Sequence, residues 1–131
     1  MTTAIDGFHH VKLPVTDVHR SRDWYQRVLG LTTRLEFVEE ETLMGVALQD
    51  ESHSLELALR QDPSRAKSMS GFDPIAVAVP TTDLLESWRE KLDTLGEPHG
   101  GIIRGHAGQV LVGLHDPDGI EIRFYTESAP A

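Results

Sequence analysis

The histidine best placed to do chemistry lies in the first of two similar stretches of the sequence. "GFHHVKLPVTD" begins at Gly7 and "GFDPIAVAVPTTD" begins at Gly71, so that His10 corresponds to Pro74. An imidazole can bind a metal ion or accept a proton, whereas a proline side chain has no donor atom. Because no nucleophile accompanies His10 in a recognisable base and orienting set, proton transfer by this residue is a secondary hypothesis.

Strand alternation places small and ionisable residues together on one face of the predicted sheet. This face is predicted to carry His10, Lys12, Glu56, Ala58, Pro74, Ala76, Ala78, Arg123 and Tyr125. A solvent-exposed sheet face is one interpretation. A curved sheet with a hollow is the other, and the three alanines favour it because exposed strands are usually richer in Thr, Lys or Glu. Glu121 alternates onto the same side as Arg123.

The two stretches open two copies of one unit. Gly7 matches Gly71 at an offset of 64, and Gly30 matches Gly96 at an offset of 66, which indicates two residues added before the second helix. We predict one α+β domain over 1–131, with modules at 7–60 and 71–127 and a polar linker at 61–70. Each module is predicted to have the element order βαβββ. The predicted strands are 8–15, 33–40, 43–49, 54–60, 73–79, 100–104, 108–114 and 120–126.

Capping residues bound the two predicted helices. Asp17 is expected to cap the first helix, and Asp83 with Glu86 to form a capping box on the second. Gly30 and Gly96 are expected to end the helices. Trp24 and Trp88 lie on these helices, where core packing or a dimer contact would explain them.

Composition excludes several classes of protein. The net charge of −9 argues against nucleic-acid binding. The absence of cysteine excludes disulfides and zinc–thiolate sites. No apolar run approaches a membrane span, and the first residues lack the pattern of a signal peptide, so that a cytoplasmic protein is expected.

Two motifs, taken with the repeat, resemble the vicinal oxygen chelate superfamily, which includes glyoxalase I, bleomycin-resistance proteins, fosfomycin-resistance enzymes and extradiol dioxygenases. The motifs are "HHVKLPVTDVHRSRDWYQRVLGL" (9–31) and "HDPDGIEIRFY" (115–125). The resemblance implies paired βαβββ modules that form a curved mixed sheet around a cleft. It does not by itself imply one function, because the superfamily includes both binding proteins and enzymes.

The same resemblance implies where a metal ion would be held. His10 matches the first ligand position and Glu56 lies at or near the second, but the third and fourth positions are Pro74 and Arg123. A guanidinium stays protonated and repels a divalent cation. Glu121 is a possible substitute ligand. We therefore expect no metal and no other cofactor, with Arg123 paired to Glu56 or Glu121. The other histidines, including a packed or rim His9, are expected to be structural or solvated.

The expected function is that of the bleomycin-resistance branch: metal-independent binding of an antibiotic or another aromatic natural product by a homodimer. The alternatives are a metal-dependent lyase, isomerase or dioxygenase using His10, Glu56 and Glu121, and a metal-free enzyme in which His10 moves a proton. A structural or regulatory role is a further possibility. The candidate ligand-binding residues are Phe8, His10, Phe37, Met44, Glu56, Arg123 and Tyr125. The acidic composition favours a neutral or cationic ligand, whereas Lys12 and Arg123 favour an anionic group.

Overall fold

The strands form two four-stranded mixed sheets with the same topology. The computed structural model describes residues 1–127. The first sheet contains β1 (Val11–Val15), β2 (Thr32–Glu39), β3 (Thr42–Gln49) and β4 (Glu56–Gln61) in the order β1-β4-β3-β2. The second contains β5 (Ile75–Ala78), β6 (Gly101–Arg104), β7 (Gln109–His115) and β8 (Glu121–Thr126) in the order β5-β8-β7-β6. In each sheet the first and last strands are parallel and the other pairs are antiparallel. The predicted tandem βαβββ fold is confirmed.

Within residues 1–127, three helices accompany the sheets: α1 (Val18–Leu29), α2 (Pro63–Met69) and α3 (Thr82–Leu95). The chain divides into two compact units, and the division falls inside α2, between Lys67 and Ser68. The segment predicted as a linker therefore contains a short helix. It begins at Pro63, and the missing N–H of proline breaks no helical hydrogen bond there, because the first N–H groups of a helix have no acceptor within it. No helix among residues 1–127 is long and apolar enough to cross a bilayer.

Local capping explains where the two long helices begin and end. Asp17 accepts hydrogen bonds from the backbone N–H groups of His19 and Arg20, as predicted. The N-cap of α3 is Thr81, which accepts from the N–H of Leu84, so that the predicted Asp83 cap is wrong. Because Asp17 and Thr81 are 64 residues apart, the two added residues lie inside α3 and not before it. Gly30 and Gly96 end the helices in the left-handed conformation, both with φ of 72°.

Each helix packs its apolar stripe on one face of its own sheet. Tyr25 and Val28 of α1 are fully buried, and α1 contacts β3 and β4. Leu85 and Leu92 of α3 are fully buried, and α3 contacts β6, β7 and β8. Both tryptophans join these cores: Trp24 meets Tyr25 edge to face, and Trp88 stacks on Phe124 with ring centroids 4.5 Å apart. The helices α1 and α3 therefore each cover one face of the sheet in their own unit.

The first strand begins later than predicted, at Val11 and not at residue 8. Its parallel partner β4 begins at Glu56, and the ladder between the two strands starts with Val11 opposite Leu57. The chain before Glu56 turns away because Asp50 accepts hydrogen bonds from the hydroxyls of Ser52 and Ser54 and from the N–H of Leu55. Phe8 and His10 consequently precede the sheet. In the second unit, β5 starts at Ile75, after Pro74.

The Asp50 turn makes the stability of the fold depend on pH. Partial burial raises the pKa of Asp50, but the hydrogen bonds from Ser52, Leu55 and Ser54 outweigh it and lower the pKa to about 2. The carboxylate therefore stabilises the fold above its unfolded pKa of 3.8, and this stabilisation is lost as the pH falls towards 2.

We expect Asp50→Asn to lower the free energy of unfolding by about 1 kcal/mol at pH 6 and by progressively less below pH 4. Urea unfolding at several pH values measures the difference. Glu51→Gln, an exposed neighbour, is the control, and a difference independent of pH would contradict the assignment.

Candidate functional site

The face of the first sheet that lies opposite α1 has a floor of small residues. Register pairs place Lys12, Ala58, Ala47 and Leu35 in one row across the four strands. The next row contains Pro14, Arg60, Gly45 and Phe37. Cross-strand partners share a face. The central strands therefore contribute three small residues, Ala47, Ala58 and Gly45, together with Arg60, while Lys12, Leu35 and Phe37 lie on the edge strands. This arrangement produces a hollow, as the sequence predicts for this face.

A pocket of about 700 Å³ occupies this face. Its apolar surface comes from Phe37, Val38, Ala58 and the strand around Gly45. Its volume falls within the range that holds drug-sized ligands. The complete lining is His10, Lys12, Glu36, Phe37, Val38, Glu39, Gly45, Ala58, Leu59 and Arg60. All of these residues belong to the first unit.

Gly45 leaves space at the floor of the pocket because it has no side chain. A Cβ at this position would lie 3.0 Å from the carbonyl oxygen of Leu59 and 3.5 Å from the ring of Phe37. The glycine therefore lets the Phe37 ring lie close to the sheet, where it remains 45% exposed. A half-exposed aromatic ring above a small-residue floor is suited to contact a flat ligand.

Most charged groups that line the pocket are held in ion pairs. Arg60 pairs with Glu39, and this hydrogen bond lowers the pKa of the Glu39 carboxyl and raises the pKa of Arg60. Glu36 pairs with Arg22 of α1 at 2.5 Å. Lys12 differs: within residues 1–127 its side chain makes no hydrogen bond or ion pair. The pocket thus combines an apolar floor with one cationic side chain that is available to a ligand.

A second group of polar side chains adjoins the pocket at His10. Nitrogen atoms of His9 and His10 and a carboxylate oxygen of Glu56 lie within 4.8 Å of one another. The two histidines are exposed, and their Nδ1 atoms are 2.8 Å apart. Of the two places expected for His9, packed or at the rim, the packed one is wrong, because the chain before Val11 lies outside the strand ladder and the residue is exposed.

Arg34 occupies both oxygens of Glu56. Its Nε donates to Oε1 at 2.6 Å and its Nη2 donates to Oε2 at 3.0 Å, a two-pronged geometry that is strong for a guanidinium and a carboxylate. These hydrogen bonds are the largest cause of the lowered pKa of Glu56. The sequence predicted that Arg123 would pair with Glu56 or Glu121; Arg34 holds Glu56, and Arg123 pairs with Glu121.

Arg123 is paired within the second unit. Its Nε donates to Glu121 at 2.7 Å, and its Nη1 lies 3.3 Å from Asp73. Glu121 also accepts from the N–H of Gly113. Its pKa is lowered mainly by the hydrogen bond from Arg123, against an opposing effect of burial. The fallback metal ligand Glu121 is therefore engaged by a guanidinium, and it lies outside the cluster formed by His9, His10 and Glu56.

The remaining predicted ligand-binding residues are dispersed. Phe8 precedes β1, is 92% exposed and does not line the pocket. Met44 borders a separate, shallower depression of about 500 Å³ with Glu39, Glu40 and Thr42. Tyr125 lies in the second unit, where its hydroxyl accepts a hydrogen bond from the N–H of Ala107 at 2.8 Å. Among the predicted set, His10 and Phe37 line the pocket.

Sequence reasoning missed Arg34 and left Lys12, Gly45 and Arg60 out of the candidate ligand-binding residues. A signal existed for Lys12, because strand alternation places it on the same face as Ala58. Nothing in the alternation could reveal Arg34, because the register of β2 with β3 shifts between Thr33 and Leu35 and leaves Arg34 outside the ladder. Such a bulge changes the direction of a side chain, so that it no longer follows the regular alternation of side chains along a strand.

The donor set fits a metal ion poorly. Two of the four positions implied by the family resemblance hold Pro74 and the paired Arg123, and neither can be a ligand. His9, His10 and Glu56 could supply three ligands, but an ion would have to displace Arg34 from Glu56. The side chains therefore favour a charge-paired sheet face over a preformed metal centre.

Comparisons with known proteins place the chain in a family. Residues 7–124 match the family described as the "Glyoxalase/Bleomycin resistance protein/Dioxygenase superfamily". A putative ring-cleaving dioxygenase, MhqA of Bacillus subtilis (strain 168), is 29% identical over 122 residues, which cover 88% of this chain. The chain spans 38% of the length of that relative. A lactoylglutathione lyase of Neisseria meningitidis serogroup A is 31% identical over 125 residues and covers 88% of this chain and 86% of the relative.

Solved structures share the fold at low sequence identity. TnmS3, described as an antibiotic binding protein from Streptomyces sp. CB03234, superimposes with a TM-score of 0.77 over 97% of this chain and 100% of that chain, with 17% identity. At this identity the likeness concerns the fold alone. Together with the family match over residues 7–124 and the repeated βαβββ topology, it leads to one assignment: the chain belongs to the glyoxalase/bleomycin resistance protein/dioxygenase superfamily.

Proposed function

We propose that this protein is a metal-independent small-molecule binding protein that sequesters an antibiotic or another aromatic natural product without converting it. The observation that carries the proposal is the pocket of about 700 Å³ on the first sheet, beside a carboxylate that Arg34 already neutralises. The pocket offers an aromatic ring, an apolar floor and few free polar groups, which suits holding a flat ligand.

The chemistry of the side chains supports binding over catalysis. Pro74 and Arg123 stand where the family resemblance expects metal ligands, and Arg123 is held by Glu121 and Asp73. Among residues 1–127, the histidine that lines the pocket, His10, has a hydrogen bond with His9 and no adjacent nucleophile. An acid–base reaction would require a histidine oriented by a third group.

A second candidate function is a metal-dependent lyase, isomerase or dioxygenase, and one observation favours it. His9, His10 and Glu56 supply two imidazoles and one carboxylate within 4.8 Å, the ligand types of many non-haem iron sites. The relatives at 29% and 31% identity are described as a putative ring-cleaving dioxygenase and a lactoylglutathione lyase. This function requires that Glu56 leave Arg34 when the ion binds.

Filling the pocket tests the binding function. Ala58 lies on the floor opposite Lys12 and is 8% exposed. We expect Ala58→Leu to weaken the affinity for any aromatic ligand found in an antibiotic and natural-product screen by at least about tenfold, because the added side chain takes the space of the ligand. Isothermal titration calorimetry measures the affinity, and mass spectrometry after overnight incubation measures conversion.

The matched control is Ala107→Leu, which adds the same atoms at an exposed position of the second unit. Its affinity should equal that of the wild type. Equal affinities in wild type and Ala58→Leu would place the ligand elsewhere. Accumulation of product during the incubation would show that the protein is an enzyme.

Metal binding distinguishes the two candidate functions. After dialysis against iron(II), manganese, nickel or zinc and removal of free ion, we expect the wild type to retain far less than one ion per chain. Arg34→Met should retain more, because it frees both oxygens of Glu56 for an ion. Inductively coupled plasma mass spectrometry measures the content. A stoichiometric ion in the wild type that is lost in both His9→Ala and His10→Ala would overturn the proposal in favour of the metal-dependent enzyme.

We also propose a homodimer, with β2 in the interface. Every residue of β2 is exposed, and Leu35 and Val38 are 43% and 59% exposed on this edge strand. Light scattering should give a mass about twice the 14.6 kDa of one chain. Leu35→Asp should shift the protein towards the monomer, whereas Leu84→Asp, which charges an exposed residue of α3, should not. A wild type that is monomeric at all concentrations would contradict the dimer.

A further inference from the structure

The pocket on the first sheet has a direction, because its two ends differ in chemistry. Lys12 lies on β1 and Phe37 lies on β2, the two edge strands of the sheet. Three inter-strand spacings separate these edges, or about 14 Å. Ala58 and Gly45 on the central strands form the floor between them. A ligand that reaches both ends has a length close to that of two joined ring systems.

The charge available to such a ligand is positive. Glu39 and Arg60 neutralise each other, and Glu36 is neutralised by Arg22. Glu56 is held by Arg34. Lys12 is the cationic lining residue that has no ion pair within residues 1–127. A carboxylate, sulfonate or phenolate on the ligand would give the ammonium its missing partner.

The acidic composition of the chain does not reverse this preference. The net charge of −9 is spread over the whole sequence. At physiological ionic strength, exposed charges are screened beyond about 8 Å. A group seated beside Lys12 therefore interacts mainly with that ammonium, while the remote carboxylates act weakly.

We propose that Lys12 determines the ligand class: the pocket takes an elongated aromatic anion, with its acidic group on Lys12 and its rings over Ala58 and Gly45 towards Phe37. This inference rests on the proposed binding function, and it adds the sign of the charge and the orientation of the ligand. Lys12 is a specificity-determining residue here and has no part in a chemical step.

Two fluorescent probes test the inference. Anilinonaphthalene sulfonate is an elongated aromatic anion, and N-phenylnaphthylamine has the same ring systems without the sulfonate. We expect Lys12→Met to weaken binding of the sulfonate about three- to tenfold and to change binding of the neutral probe less than about twofold. Lys12→Arg should retain the sulfonate affinity. Lys67→Met, which removes one exposed cation of α2 outside the pocket, should change neither affinity.

The outcomes separate the inference from the proposed function. Equal weakening of both probes by Lys12→Met, or no weakening of either, while Ala58→Leu still abolishes binding, overturns the role of Lys12 and leaves the binding pocket standing. Failure of both probes to bind the wild type, or full binding by Ala58→Leu, overturns the pocket itself. Selective loss of the sulfonate in Lys12→Met, with rescue by Lys12→Arg, supports the inference.

Discussion

The bidentate ion pair between Arg34 and Glu56 is the interaction on which our interpretation of the first sheet depends. A carboxylate on the helix-free face of a sheet needs a counter-ion, and here both of its oxygens accept hydrogen bonds from one guanidinium. In the second unit, Arg123 of β8 forms the corresponding ion pairs, with Glu121 and Asp73. In both sheets a guanidinium therefore already binds the carboxylate that could otherwise serve as a metal ligand.

With Glu56 neutralised, the size of the residues on the central strands decides the use of the face. Ala58 and Gly45 lie where larger side chains would fill the hollow, and the edge strands raise its sides with Lys12 and Phe37. The same rows explain why the pocket lies on the face opposite α1, since the alternate residues of β3 and β4, such as Val46 and Leu57, are fully buried beneath that helix. One face therefore stabilises the fold, and the other carries the pocket that we propose as the ligand site.

Sequence patterns were sufficient for features that depend on local chemistry. Each of these features depends on residues that are close together in the sequence, and each is observed. They are the alternation within β4 and β8, the Asp17 cap and the glycines at 30 and 96, and the repeat of the whole unit follows from two copies of such a pattern. Features that depend on distant partners were not recoverable. The start of β1 is set by where β4 begins, and the position of Arg34 is set by a bulge against β3. The helix at Pro63 was missed although Asp62 accepts from the N–H of Arg65, because its polar composition resembles a linker.

The opposing indications about ligand charge are resolved by pairing. Composition counts every charge equally, and so the sequence suggests a cationic partner from its excess of acids and an anionic one from Lys12 and Arg123. The structure removes Arg123 from consideration, since Glu121 and Asp73 compensate it. It removes Glu36, Glu39 and Glu56 for the same reason. On the proposed binding function, a ligand would meet the lining charge that has no ion-pair partner, and within residues 1–127 that charge belongs to Lys12.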